Sequence, residues 1–232
     1  MIQVHPAGNR GHLDHGWLDT RHTFSFGQFH DPARMGFRAL RVINEDIIAP
    51  GMGFGKHPHR DMEILTYVLA GGLAHTDSMN NTSVIGPGRV QRMSAGTGVV
   101  HAEHNASDTE PVHLLQIWLL PDAAGHPPSY EELDLGPGDI DGRLRVLASP
   151  DADDGATTWH QDAWLYACRL PAAGEIGHVL APDRHAWLQV ARGTAQLGGV
   201  GLEAGDGAAV SGESRLDITS IEGTEFLLFD LA

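Results

Sequence analysis

Two short histidine motifs are the residues of this sequence with the clearest chemical potential. The first is His57-Pro58-His59 and the second is His101-Ala102-Glu103. In a β-strand, side chains i and i+2 leave the same face roughly 7 Å apart, so each motif would aim two ligand groups in one direction. Two such strands side by side would offer three imidazole nitrogens and one carboxylate oxygen. This donor set suits a divalent transition ion such as iron, nickel, copper, manganese or zinc.

The residues that frame the two motifs are more specific than the motifs themselves. With 15 histidines in the chain, chance alone gives roughly one His-x-His. The framing residues are Gly51, Glu63, Gly96 and Asn105. This layout, a Gly, His-x-His, Glu block followed by a Gly, His, Asn block, resembles the two motifs of the cupin family. The chain departs from the usual cupin pattern in three places: Gly71 falls one residue late, Ser94 replaces a proline, and the loop 96–101 is two residues longer.

The stretches around both motifs resemble one branch of the cupins, the pirin family. Residues 57–67 and 93–103 carry most of this resemblance, and residues 22–26 and 35–42 are similar to its bacterial members. The resemblance is dense in the first half of the chain and looser in the second. It implies an all-β bicupin of two antiparallel β-barrel (jelly-roll) domains, with a metal site in the N-terminal barrel and none in the C-terminal barrel.

The carboxylate ligand of such a site has two candidates. In an ordinary cupin it would be Glu63, whereas in the pirin family the matching ligand is at Glu103. Both glutamates are expected from strand parity to face inward with their neighbouring histidines. On the resemblance we expect one divalent metal ion on His57, His59, His101 and Glu103. Iron is the first expectation, and nickel, copper, manganese and zinc are the alternatives. Glu63 would then support the site or pair with a basic side chain.

Other polar residues near the motifs are expected to be structural. His75, His104 and His113 lie close to the site in sequence, and each is expected to form ordinary hydrogen bonds. Asn105 is expected to fix a turn. After Gly136 the sequence contains no further His-x-His.

Short β-rich segments separated by turns make up most of the chain. The 29 glycines and 13 prolines suit many strands joined by tight turns. The predicted strands are 37–42, 63–69, 112–120, 144–148, 164–170, 186–190 and 225–231. This pattern predicts an all-β sandwich or barrel architecture. A stretch rich in glycine and proline at 121–141 predicts the connection between an N-terminal metal-binding domain, 1–130, and a C-terminal cupin-like domain, 131–232.

Charge and composition argue against several classes of partner. Fifteen basic residues against thirty acidic residues give a net charge of −15, and no basic cluster suits a phosphate backbone or an anionic membrane. No apolar run approaches the ~20 residues of a membrane helix, and residues 1–10 show no secretory apolar region. The single cysteine, Cys168, is expected to be buried. We therefore expect a cytoplasmic protein with no nucleic-acid or membrane partner.

The resemblance also implies an activity. Bacterial pirin-like proteins are linked to quercetin 2,3-dioxygenation, in which a flavonol ring is cleaved by dioxygen and carbon monoxide is released. The substrate hydroxyl would bind the metal as its anion, and Glu103 would accept the proton as general base. The partners would be a small aromatic substrate and dioxygen. The alternative is a non-enzymatic metal-containing regulator that binds a protein partner.

Overall fold

The computed structural model describes residues 1–232 and consists almost entirely of β-strands, which confirms the all-β prediction. Its only helical segments are two 3-10 turns, Ala7–Asn9 and Asp153–Gly155. The strands, numbered in chain order, are β1 Ile2–His5, β2 Gly11–Asp14, β3 Leu18–His22, β4 Leu40–Ile48, β5 Gly53–His59, β6 Glu63–Ala70, β7 Leu73–Asp77, β8 Thr82–Ile85, β9 Arg89–Ser94, β10 Val99–Asn105, β11 Val112–Leu119, β12 Ser129–Asp134, β13 Arg145–Ser149, β14 Thr157–Thr158, β15 Ala163–Leu170, β16 Glu175–Val179, β17 His185–Leu197, β18 Val200–Glu203, β19 Gly207–Ser211, β20 Arg215–Thr219 and β21 Thr224–Leu231. The structure contains no helix with the length and apolar character needed to cross a bilayer.

The chain forms two compact units. The N-terminal unit comprises residues 11–135 and 157–161, and the C-terminal unit comprises residues 1–10, 136–156 and 162–232. The first strand of the chain therefore belongs to the C-terminal unit, where β1 pairs with β19. The domain boundary placed at residue 130 stays a prediction.

Two antiparallel sheets build the N-terminal unit. The larger sheet has the strand order β12-β9-β6-β11-β4-β3-β2, and the smaller has the order β5-β10-β7-β8. Apolar side chains from both sheets meet in one cluster of the interior: Leu18, Ile48, Val68, Leu73, Ile85, Val112 and Leu114. A second cluster is formed by Ile64, Met93 and Val99. Burial of these side chains is the main force that holds the two sheets together.

Strand register brings the two histidine motifs together. In the smaller sheet, β10 pairs with β5 so that His101 lies opposite His57 and Val99 lies opposite His59. On its other side β10 pairs with β7, which sets Glu103 opposite His75. Because side chains alternate between faces along a strand, this register gathers the motif side chains on one face of the sheet.

The C-terminal unit is also antiparallel, with the strand order β1-β19-β17-β21-β15-β13. The long strand β17 pairs with β19 and β21 along its first part and with β18 and β20 at its end. Its interior is filled by apolar side chains. Cys168 is fully buried there, as predicted, and burial raises the pKa of its thiol to about 12. His178 in this unit bonds to Asp230, with 2.8 Å between its Nε2 and the carboxylate Oδ2.

Asn105 fastens the end of β10 to neighbouring backbone. Its Nδ2 donates to the carbonyl oxygens of Ile48 at 3.0 Å and Glu110 at 2.8 Å, and its Oδ1 accepts from the Ser107 amide at 2.9 Å. The prediction that Asn105 fixes a turn is confirmed. The same bonds hold the strand that carries His101.

Replacing Asn105 with alanine should destabilise the protein by about 2–4 kcal/mol, because the buried side chain makes three hydrogen bonds to the backbone that alanine cannot make. The free energy of unfolding in urea measures this. The matched control is Gln28→Ala at an exposed position, which should change stability by no more than about 0.5 kcal/mol. Equal stability of the two variants would contradict the role given to Asn105.

Candidate metal centre

Three histidines from β5 and β10 form a compact cluster. Their ligand nitrogens, from His57, His59 and His101, all lie within 4.8 Å of one another. The Nε2 atoms of His57 and His101 are 3.0 Å apart. His57 Nδ1 lies 2.8 Å from the carbonyl oxygen of Gly55. Since a carbonyl only accepts, Nδ1 carries the proton and Nε2 keeps its lone pair directed at His101. A cation or proton shared between the two facing nitrogens would relieve their repulsion.

Glu103 lies beside this cluster with one oxygen free. Its ligand oxygen falls within 4.8 Å of nitrogens of His101 and His75, so His101 belongs to both groups. Gln116 Nε2 donates to Glu103 Oε2 at 3.0 Å, and the Thr66 hydroxyl donates to Gln116 Oε1 at 3.0 Å. The other carboxylate oxygen, Oε1, is buried and has no hydrogen-bond partner. A buried carboxylate oxygen left unpaired in this way is costly unless it binds a cation or a donor.

Burial sets the protonation of the site. Burial, followed by the neighbouring His57, His59 and His75, lowers the pKa of His101 to about 3. Burial and His57 lower the pKa of His59 to about 4. Burial raises the pKa of Glu103 to about 7, with a smaller contribution from Asp46. Near neutral pH, His59 and His101 are therefore uncharged and offer lone pairs, which is the state that a metal ion requires.

These donors fit a divalent transition ion. Uncharged imidazole nitrogens and a carboxylate are the ligands that iron, nickel, manganese and zinc accept in proteins. Three nitrogens and one oxygen would also leave coordination positions open on a six-coordinate ion. The structure brings all four sequence-predicted site residues into one neighbourhood.

His75 is a structural histidine, as predicted. Its Nε2 lies 3.2 Å from Asp77 Oδ2, and Gln91 Nε2 lies 3.2 Å from its Nδ1. Both ring nitrogens are therefore occupied. His113 is likewise paired, 2.9 Å from Glu45 Oε1, and His104 is exposed on β10.

Glu63 faces away from the histidine cluster, so the expectation that strand parity turns it inward was wrong. Its neighbour Ile64 lines the cavity beside the histidines, which places Glu63 on the opposite face of β6. The Ser94 hydroxyl donates to Glu63 Oε2 at 2.6 Å, and His160 Nδ1 lies 3.1 Å from Oε1. This bond gives a reason for Ser94 in place of the usual cupin proline, which has no side-chain donor.

The loop before β10 requires a glycine at Gly96. Its φ is +44°, and a Cβ atom there would lie 2.0 Å from the carbonyl oxygen of His126. Both the conformation and the space exclude other residues. This glycine lets the chain turn tightly before it delivers His101.

A cavity of about 470 Å³ opens beside the cluster. Its aromatic and aliphatic walls come from Trp17, Phe26, Phe54, Ile64 and Trp118. The rings make edge contacts, with centroids 5.2 Å apart for Phe26 and Trp118 and 4.9 Å apart for His59 and Trp118. A mostly apolar cavity of this size with a few converging polar groups is typical of a small-molecule site.

Sequence reasoning missed the polar side chains on the larger sheet that also line this cavity, namely Asn44, Asp46 and Gln116. The available signal was the alternation in β4. Positions 40, 42 and 48 are buried and apolar, so positions 44 and 46 fall on the same inward face. Polar residues at two core positions of an otherwise buried strand indicate a lined cavity.

Comparison with known proteins agrees with this geometry. The Pirin family profile matches residues 3–119, and the profile of the quercetinase C-terminal cupin domain matches residues 146–231. Quercetin 2,3-dioxygenase of Escherichia coli (strain K12) is 48% identical over 231 residues, which cover 100% of this chain and 99% of that protein.

Solved structures of bacterial pirins are also similar to this chain. The crystal structure of YhhW from Escherichia coli has a TM-score of 0.97 and 46% sequence identity, and the match covers 100% of this chain and 98% of that one. The nickel(II) complex of bacterial pirin YhhW has a TM-score of 0.95 and 46% identity, covering 100% and 99%. The predicted bicupin fold is confirmed, and this chain belongs to the pirin family.

Proposed function

We propose that His57, His59, His101 and Glu103 bind one divalent transition metal ion. The proposal is supported by the facing Nε2 atoms, by the unpartnered Glu103 oxygen and by the nickel(II) that a 46% identical pirin binds. Iron stays our prediction for the ion that supports catalysis, and nickel is the first alternative.

A metal-binding experiment should show which of the two candidate carboxylates, Glu103 or Glu63, is a ligand. Glu103→Gln should weaken binding of nickel(II) by at least about tenfold, because a charged oxygen ligand is lost. Glu63→Gln is the matched control and should leave affinity and stoichiometry unchanged, since Glu63 faces the other side of β6. Isothermal titration of metal-stripped protein measures both. If Glu63→Gln weakened nickel(II) binding and Glu103→Gln left it unchanged, Glu63 would be the ligand and our assignment would be wrong.

Metal affinity should rise with pH near neutrality. The pKa of Glu103 is raised to about 7, so the folded protein holds a proton below that pH, and the ion must displace it. Affinity for nickel(II) should therefore increase about tenfold between about pH 6 and pH 8. His59 and His101, whose pKa values are about 4 and 3, add nothing to this change. Glu103→Gln should make the profile shallower, and an unchanged slope in that variant would contradict the account.

The protein, we infer, is an oxidoreductase of the quercetin 2,3-dioxygenase type that acts on a flavonol. The observation that carries this inference is the aromatic-lined cavity, whose lining includes His57, His59 and the buried Glu103. A flat, polycyclic hydroxylated substrate suits aromatic walls on either side. The relatives named quercetin 2,3-dioxygenase support the same reaction.

In the proposed mechanism the bound metal supplies Lewis-acid and redox chemistry toward the substrate hydroxyl and dioxygen. Glu103 accepts the proton of the flavonol 3-hydroxyl as general base. Gln116 holds the other Glu103 oxygen and fixes the direction of the carboxylate. Trp118 and Phe26 orient the rings and exclude water. One atom of dioxygen bonds to C2 and the other to C4, the C2–C3 and C3–C4 bonds break, and C3 leaves with its own oxygen as carbon monoxide. Both atoms of dioxygen therefore end in the depside.

Dioxygen uptake tests this function. Metal-stripped protein is reloaded separately with iron, nickel, copper, manganese or zinc and given a flavonol. We expect uptake with one or two redox-capable ions, and a loss of at least about a hundredfold in His101→Ala. His104→Ala, at an exposed position on the same strand, is the matched control and should retain full activity. No uptake with any ion, from folded protein that binds metal, would overturn the proposed substrate class.

A further inference from the structure

Two polar side chains on β4, Asn44 and Asp46, have no role in the proposed mechanism. Asn44 and Asp46 are consecutive positions on the inward face of the strand, between the apolar Val42 and Ile48, and each is only 5% exposed. Apolar residues would pack there without cost, whereas a buried amide and carboxylate need partners. Their presence on this face therefore calls for a ligand that supplies those partners.

Each of the two side chains has an acceptor oxygen without a partner. Asn44 Oδ1 and Asp46 Oδ1 are both buried and form no hydrogen bond. Asp46 does interact with the Thr20 side chain, so its carboxylate is anchored while Oδ1 stays free. Buried acceptors are nearly always satisfied. Two free acceptors that are neighbours on one strand face are suited to a ligand that donates two adjacent hydrogen bonds.

Asn44 and Asp46 lie in the wall of the cavity that we propose as the substrate site. Asn44 and Asp46 line the same cavity as His57, His59 and Glu103. They belong to the larger sheet, whereas the histidines belong to the smaller one. Asn44 lies opposite Gln116, whose side chain bonds to Glu103, so a ligand with its reacting hydroxyl at the histidines can reach β4 with hydroxyl groups of another ring. The same cavity is lined by aromatic side chains, which suits a flat ring system.

We propose that Asn44 and Asp46 accept hydrogen bonds from hydroxyl groups on the substrate ring remote from the reacting carbon, and so select polyhydroxylated aromatic substrates. This inference rests on the proposed function, because it takes the histidine cluster as the reacting end. Asn44 and Asp46 act as specificity-determining residues. A site built to bind hydroxyl donors discriminates strongly against analogues without them, because its buried acceptors are then left unpaired.

A series of flavonols that share the 3-hydroxyl and 4-keto groups tests the proposal. Their pendant rings carry two, one or no hydroxyl groups. Binding to the metal-loaded protein is measured without dioxygen by quenching of tryptophan fluorescence, and turnover is measured separately by dioxygen uptake. The wild-type protein should bind the dihydroxylated compound at least about tenfold more tightly than the compound without pendant hydroxyls.

Asp46→Leu, which keeps the size of the side chain and removes its acceptors, should reduce this preference to about twofold or less. It should not weaken binding of the compound without pendant hydroxyls, because the leucine leaves no buried acceptor unpaired beside that compound. Asp46→Asn, which retains one acceptor oxygen, should preserve an intermediate preference. Asn44→Leu should act in the same direction as Asp46→Leu. Thermal unfolding of each variant establishes that the fold is intact.

Binding and turnover test different claims: binding tests the recognition of hydroxyl groups by Asn44 and Asp46, and turnover tests the proposed dioxygenase reaction. Turnover with an unchanged preference in both leucine variants would overturn the inference and leave the dioxygenase in place, because the two side chains would then hold solvent only. Discrimination in binding that the variants abolish, without any turnover, would support the recognition site and overturn the reaction. A wild-type protein that binds no flavonol, or binds all of them equally, would also overturn the inference.

Discussion

The pairing register between β5 and β10 is the constraint on which the site depends. It sets His101 directly opposite His57 and keeps His59 two residues further along the same face. A slip of one residue would turn every ligand to the other side of the sheet, because side chains alternate with a period of two. The register is held in turn by the tight turn at Gly96 and by the hydrogen bonds of Asn105. Residues that never touch a ligand therefore determine whether the ligands converge.

Burial of the site determines which of its ligand groups carry a charge. The same burial that lowers the pKa values of His59 and His101 raises that of Glu103. Both changes favour uncharged groups, because an isolated charge is poorly solvated in the interior. A buried cluster of uncharged donors is costly to leave unpaired, and a divalent ion would satisfy several donors at once. Gln116 and Thr66 pair one side of the carboxylate and leave the other side available.

Much of the fold and of the centre could be predicted from the sequence, since strand alternation and motif spacing are local properties. The all-β chain and the convergence of the two histidine motifs follow from them, whereas the choice of Glu103 over Glu63 came from the resemblance to the pirin family. The orientation of Glu63 could not be predicted, because it depends on which face of β6 turns inward, and that is decided by the packing of Ile64. Nor could the membership of β1 in the C-terminal unit, which depends on pairing with a strand about 200 residues away. Asn44 and Asp46 carried a signal in β4, but its meaning required the cavity.

The central claim is that four side chains from β5 and β10 hold one metal ion, and anomalous X-ray diffraction from crystals of the metal-loaded protein tests it most directly. Data collected at the absorption edge of the bound metal would show one strong peak. The account predicts that this peak lies within about 2.0–2.3 Å of nitrogens from His57, His59 and His101 and of an oxygen from Glu103. A peak coordinated by Glu63 or by His75 in place of these ligands, or no peak at the cluster in protein that binds metal stoichiometrically, would contradict it.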